Sequence, residues 1–170
     1  MRLFILLLLL PFSMQAQSNF VRDLDAGGGD TIIRGSCTFG ELLADPSSDW
    51  MRVKTDYKPD RKDLKYLRKH LPDFKVVALF GSWCGDTHEQ LPRFYGILKS
   101  AKMPLNQVQL VGFDREKRGR DMEHKIFKVD RLPTFIVYKG HKEIGRIVET
   151  PIVTLEADLV KIITPVKEEK

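Results

Sequence analysis

Residues 81–94 read "GSWCGDTHEQLPRF" and carry one of only two cysteines in the chain, Cys84. Just upstream, "KVVALF" (75–80) is continuously apolar, as expected of a strand covered on both faces. Just downstream, residues 86–101 place Leu91, Phe94, Tyr95 and Leu98 on one helical stripe. Cys84 therefore falls at a strand-to-helix switch. A sulfur there meets unpaired backbone N–H groups and the positive end of the helix dipole, and both favour a thiolate. Trp83 supplies an apolar lip, and Gly85 leaves room for an approaching backbone. Thr87 offers a hydroxyl to the sulfur, and His88, one turn along, adds support as imidazolium; Asp86 opposes them with a like charge. The competing reading is an inert core cysteine, the ordinary fate of a free thiol. A place between Trp and Gly at a helix start argues against it.

Strand and helix patterns continue on both sides. "QVQLVGF" (107–113) reads as a second strand, and a polar helix over about 119–128 is expected to bury Met122, Ile126 and Phe127. "TFIVY" (134–138) and "EIGRIVE" (143–149) flank Lys139-Gly140-His141-Lys142, a hairpin turn. Thr150 then caps a last helix with Pro151 at its first position and Leu155, Leu159 and Ile162 facing inward. The order β-α-β-α-β-β-α implies a mixed sheet whose first two strands are parallel. Ahead of it, residues 37–72 form a helical extension in which Asp60 caps a helix lined by Leu64, Leu67 and Leu71. Trp50 packs this extension onto the rest of the chain. Residues 17–36, with three consecutive glycines, read as a flexible arm.

At 170 residues, 42% hydrophobic and 30% charged, the chain fits one domain with modest extensions. The net charge of +5 is spread among interleaved acids, as in "REKRGRDMEHK" (115–125), so no basic stripe tracks a nucleic acid. The first residues, "MRLFILLLLLPFSMQAQS", join Arg2, a short apolar run and Ala16. A helix over that run reaches about 15 Å, roughly half a bilayer core. It reads as a secretory signal cut after Ala16, with an uncleaved anchor as the alternative. Export, to a periplasm or beyond, brings Cys37 and Cys84 into an oxidising compartment, where they either pair or stay separate thiols. The remaining 165–170 form a charged tail.

The chain resembles the thioredoxin-like superfamily over roughly residues 73–164. "LFGSWCGDT" is similar to that family's strand and active-site turn, Pro92 sits where members carry a helix-kinking proline, and "RLPTFIVYKG" (131–140) resembles the segment with a cis-proline. The resemblance implies an α/β thioredoxin fold, a mixed central sheet flanked by helices, here with the N-terminal helical extension. It implies that Pro133 is cis and faces the sulfur of Cys84, and that Leu132, Pro133 and Thr134 line a groove where substrate backbone pairs. The single-cysteine Trp-Cys-Gly-Asp-Thr signature is most similar to exported bacterial thioredoxin-like proteins.

Departures from the family pattern shape the functional expectation. Thr87 replaces the second cysteine, and Ala78 replaces the buried acid that serves it, so both halves of the resolving step are missing together. A family glycine after the last strand is replaced near Glu149. Cys84 alone can form a mixed disulfide but needs another thiol to release it. That thiol is expected from a cysteine-containing protein partner, a small molecule, a reductase or Cys37; otherwise Cys37 is a small buried hydrophobe. The leading expectation is monothiol thiol–disulfide exchange, by a monomer with no cofactor and no membrane span in the mature chain. The alternative is a redox-inactive peptide-binding module using the same groove. Asp114 and Arg115, at the end of the second strand, either line the site or form a solvated loop. No metal site is expected, since Cys84 with His88 supplies two ligands where a closed zinc site wants four.

Overall fold

The computed structural model describes residues 19–25, 29 and 31–165. The expected leader over 1–16 and the end of the charged tail lie outside them. The described chain opens with two strands, β1 (Asn19–Leu24) and β2 (Thr31–Cys37), which pair antiparallel with Asn19 opposite Ser36. This corrects the expectation of a loose arm over 17–36. "TIIRGSC" is rich in β-branched residues and buries Ile32, Ile33 and Cys37, so it has apolar surface to lose by pairing.

Next come α1 (Phe39–Ala44), a 3₁₀ segment (Pro46–Arg52) and α2 (Arg61–His70). Thr38 and Glu41 form a reciprocal capping box at α1, and the Asp60 carboxylate accepts from the Lys62 and Asp63 amides to start α2. Phe39, Leu42, Met51, Leu67 and Leu71 join the same core as Phe94 and Leu159. The helical extension thus shares its apolar interior with the domain.

The remainder follows the sequence reading closely. β3 (Lys75–Phe80), α3 (Gly85–Ser100), β4 (Val108–Gly112), α4 (Glu123–Phe127), β5 (Thr134–Lys139), β6 (Lys142–Val148) and α5 (Leu155–Ile163) succeed one another. The sheet order is β1-β2-β4-β3-β5-β6, with β3 and β4 parallel and the other neighbours antiparallel. Gly140 makes the β5–β6 turn at φ 62°, a left-handed conformation that glycine adopts without strain.

β3 alternates between two cores. Val76, Ala78 and Phe80 face the large cluster under α3 and α5, where Phe94 stacks on Phe135 at 4.1 Å. Val77 and Leu79 face a smaller cluster with Val111, Phe113, Leu132 and Ile136. The second face is thinly covered, because α4 is shorter than the helix expected over 119–128. Met122 and Ile126 are exposed, and only Phe127 of the three expected residues packs inward. The Asp114 carboxylate accepts from the Arg118 amide (2.7 Å), folding the preceding residues into a turn. A second correction concerns the last helix, which Thr154 caps, not Thr150. Asp158 accepts from the Ile152 and Val153 amides (2.6 and 3.3 Å), holding that stretch out of the helix.

Candidate functional site

Cys84 is the N-cap of α3, beyond the C-terminal end of β3, and is partly exposed. The first helical bond runs from the His88 amide to the Cys84 carbonyl (3.1 Å), leaving the earlier first-turn amides without a helical partner. Its thiol lies 3.5 Å from the Leu132 carbonyl oxygen, and the Leu132–Pro133 bond is cis. Residues 84 and 132, forty-eight positions apart, thus meet beyond the C-terminal end of β3, where β5 begins. Leu132, Pro133 and Thr134 are buried, and the Thr134 hydroxyl donates to the Arg131 carbonyl at 2.7 Å. Gly85, next to Cys84, is exposed with open space over its α-carbon.

The turn before the sulfur is tightly built. Trp83 folds back over Gly81, where an added β-carbon would sit 2.8 Å from the indole. Its Nε1–H donates to the Phe113 carbonyl (2.9 Å), and the Arg115 guanidinium lies over the ring at 5.1 Å. Arg115 Nε in turn donates to Asp25 (2.9 Å). The neighbouring Asp114 is buried and paired with Arg118 (3.3 Å), an internal brace of that loop. Ser82, unremarked in the sequence reading, ties the turn to β2: its hydroxyl accepts from the Ile33 amide (3.0 Å) and donates to the Thr31 carbonyl (3.1 Å).

Two residues expected to face the sulfur are occupied elsewhere. Thr87 is fully buried, and its hydroxyl accepts from the Gly81 amide (3.3 Å), bracing the turn from beneath. His88 Nε2 lies 2.7 Å from the Ser82 carbonyl, so that nitrogen carries the proton and donates. Its ring stacks on Trp50 at 4.5 Å, which docks the 3₁₀ segment onto α3. Asp86 is exposed on the first turn of α3, and Pro92 is buried inside it.

Cys37 and Cys84 form no disulfide. Cys37 is opposite Leu110, which is itself opposite Ala78, placing it level with the middle of β4 and β3 and short of the strand end that Cys84 follows. Burial, then the Glu41 and Asp45 carboxylates, push the Cys37 thiol up to about 12. Glu149, near the expected glycine position, has φ 58°, the left-handed region that glycine favours. Its amide donates to the Pro133 carbonyl (2.7 Å), and its carboxylate pairs with Arg131 (2.8 Å).

The order β4-β3-β5-β6, the thiol at the β3–α3 junction and the cis-proline before β5 coincide. The chain has a thioredoxin fold. No family model matches it, and no curated protein matches it. Among solved structures, a protein of unknown function from Pseudomonas aeruginosa shares 12% identity with a TM-score of 0.53, over 74% of this chain and 90% of that one. Thioredoxin O2 from Arabidopsis thaliana shares 18% identity with a TM-score of 0.41, over 61% and 85%. Fasciola hepatica thioredoxin shares 22% with a TM-score of 0.38, over 58% and 86%. At 12% identity the first of these likenesses concerns the fold alone. Among the described residues, no group of three or more His, Cys, Asp or Glu is placed to hold a metal ion, and no helix is long and apolar enough to cross a membrane.

Proposed function

We propose that this thioredoxin-fold chain acts through Cys84 as a monothiol, forming mixed disulfides with cysteine-containing proteins after export. The observation that carries the reading is the partly exposed Cys84 sulfur, 3.5 Å from the Leu132 carbonyl beside cis-Pro133, with buried Thr87 in place of a second thiol. The Cys84 thiolate attacks one sulfur of a partner disulfide. The new S–S bond forms as the old one breaks, and the departing sulfur leaves as a thiolate that takes up a proton. Cys84 is thereby oxidised and one partner sulfur reduced. Release needs a second thiolate, from the partner or from a small thiol, attacking the Cys84 sulfur or its partner. Open space over Gly85 and an indole wall at Trp83 suit a peptide substrate.

The test is reaction of the reduced protein with a disulfide-bonded peptide, followed by intact mass. One peptide adduct per chain on Cys84 is expected, stable until an external thiol is added, and absent in Cys84→Ser. Several equivalents of peptide reduced per chain without added thiol, or no adduct at all, would overturn the reading.

A further inference from the structure

We propose that the thinly covered face of the sheet holds a binding site for a small amphiphilic carboxylic acid, at the end of β3 away from Cys84. The site stands whether or not Cys84 reacts with disulfides. Alternation along β3 sends Lys75 and Val77 to the face of the smaller core cluster. Pairing sets Gln109 of β4 opposite Val77 and Tyr138 of β5 opposite Lys75. These four side chains floor a cavity of about 480 Å³, within the roughly 300–1,000 Å³ of small-molecule sites. The length of β3, about 20 Å at six residues, separates its outer end from the turn that carries Cys84.

The walls come from three separate pieces of chain: the turn at Asn106 and Gln107, the hairpin at Gly140 and His141, and Ile126 with Phe127 of α4. The α4 wall is anchored. Arg146 donates to the Phe127 carbonyl (3.2 Å), and the same guanidinium gives two bonds to Glu143 (2.6 and 2.7 Å). With only five residues, α4 leaves this part of the face open, and Ile126 is 69% exposed there.

The lining chemistry selects the ligand. No aspartate or glutamate lines the cavity, whereas Lys75 and His141 do. Among the described residues, neither of those side chains makes a hydrogen bond or ion pair. Glu143, opposite Tyr138 on β6, is already held by Arg146. Burial and then Glu143 raise the Tyr138 phenol, so it stays protonated and able to donate. Ammonium, imidazole and phenol thus gather donors where β3 begins and the β5–β6 hairpin turns, while Val77, Ile126 and Phe127 offer an apolar bed. A carboxylate on an apolar chain satisfies both. An amphiphilic cation meets the Lys75 charge, and an alcohol leaves that ammonium without a counter-charge. A walled cavity of this size suits one small molecule better than the flat face of a polypeptide.

The test uses the isotope-labelled full chain and follows the amides of Lys75, Val77, Gln109, Tyr138 and His141 by NMR as decanoate is added below its micellar range. One saturable site is expected, with binding at least about tenfold tighter than that of decanol or decyltrimethylammonium. Lys75→Glu and Ile126→Asp, both at exposed positions, should each weaken decanoate binding by roughly tenfold. Equal affinities for the three amphiphiles, no saturable shift by about 1 mM decanoate, or wild-type binding in either variant would overturn the proposal. So would shifts at these amides with phosphatidylglycerol vesicles or an acidic peptide where decanoate gives none, because the face would then belong to a macromolecule.

Discussion

Replacing Cys37 with alanine should flatten the alkaline fall in stability of this protein. Cys37 is 5% exposed, and its thiol is raised from an ordinary 9.0 to about 12, first by burial and then by Glu41 and Asp45. Below pH 9 the thiol is neutral in both folded and unfolded chains, and its contribution is fully present. Above pH 9 the unfolded chain releases the proton while the folded chain keeps it, so the unfolded state gains free energy of ionisation and stability falls as pH rises toward 12. At ~1.36 kcal/mol per unit, the loss relative to pH 7 is about 1.4 kcal/mol at pH 10 and about 2.7 kcal/mol at pH 11.

Urea denaturation of wild type and Cys37→Ala, with reductant present, at intervals from pH 7 to pH 11 measures this directly. Tyr57, pushed up to about 12 by burial and then by Glu156, and Tyr138, raised by burial and then by Glu143, add to the fall in both proteins. The difference between the two curves therefore isolates Cys37. It should be constant to about pH 9 and then close as wild type loses its advantage. Parallel curves up to pH 11 would refute the reasoning.

Two further substitutions test individual bonds. Tyr57→Phe removes the hydroxyl that donates to buried Glu156 at 2.5 Å, leaving that carboxylate with the Asp60 amide at 2.9 Å, and should cost about 1–3 kcal/mol in urea denaturation without altering Cys84 alkylation; wild-type stability would show the bond contributes nothing. Ser82→Ala strips the Ile33 amide of its acceptor and should cost about 1–2 kcal/mol while accelerating hydrogen exchange at Ile33, an effect checked by NMR; unchanged exchange would mean that this amide does not depend on Ser82.

Legibility in the sequence followed the range over which each feature is determined. β3, α3 and the β5–β6 hairpin carry their signals in adjacent residues: a continuous apolar run, a helical stripe, and a glycine turn between two β-branched segments. The β1–β2 hairpin was hidden because the glycine run between its strands has the composition of a tether. What holds β2 to the sheet is pairing with Leu110–Gly112, more than seventy residues away. The last helix was misplaced by one competing carboxylate, Asp158, whose bonds to Ile152 and Val153 no periodicity records. In the site, the meeting of Cys84 with Leu132 was suggested by family resemblance, since forty-eight residues of chain carry no local sign of it. Asp25 is ninety residues from Arg115, and a lone aspartate beside a glycine run gives no sign of their contact.

The paired absences at positions 87 and 78 also acquire a physical account. Thr87 is fully buried, and its hydroxyl serves the Gly81 amide, so the position braces the reactive turn. Ala78 is fully buried in the large core that holds Phe94 and Phe135, where an acid without a partner would pay a heavy desolvation cost. On the proposed reading Cys37 is not the resolving thiol. Burial and the nearby Glu41 and Asp45 carboxylates hold its thiol in the neutral form, and its place opposite Leu110 keeps it inside the sheet. On the proposed reading, a mixed disulfide at Cys84 has no internal route to release. It lasts until a thiol from outside the chain reaches the sulfur, so the lifetime of the adduct is set by the partner and its surroundings.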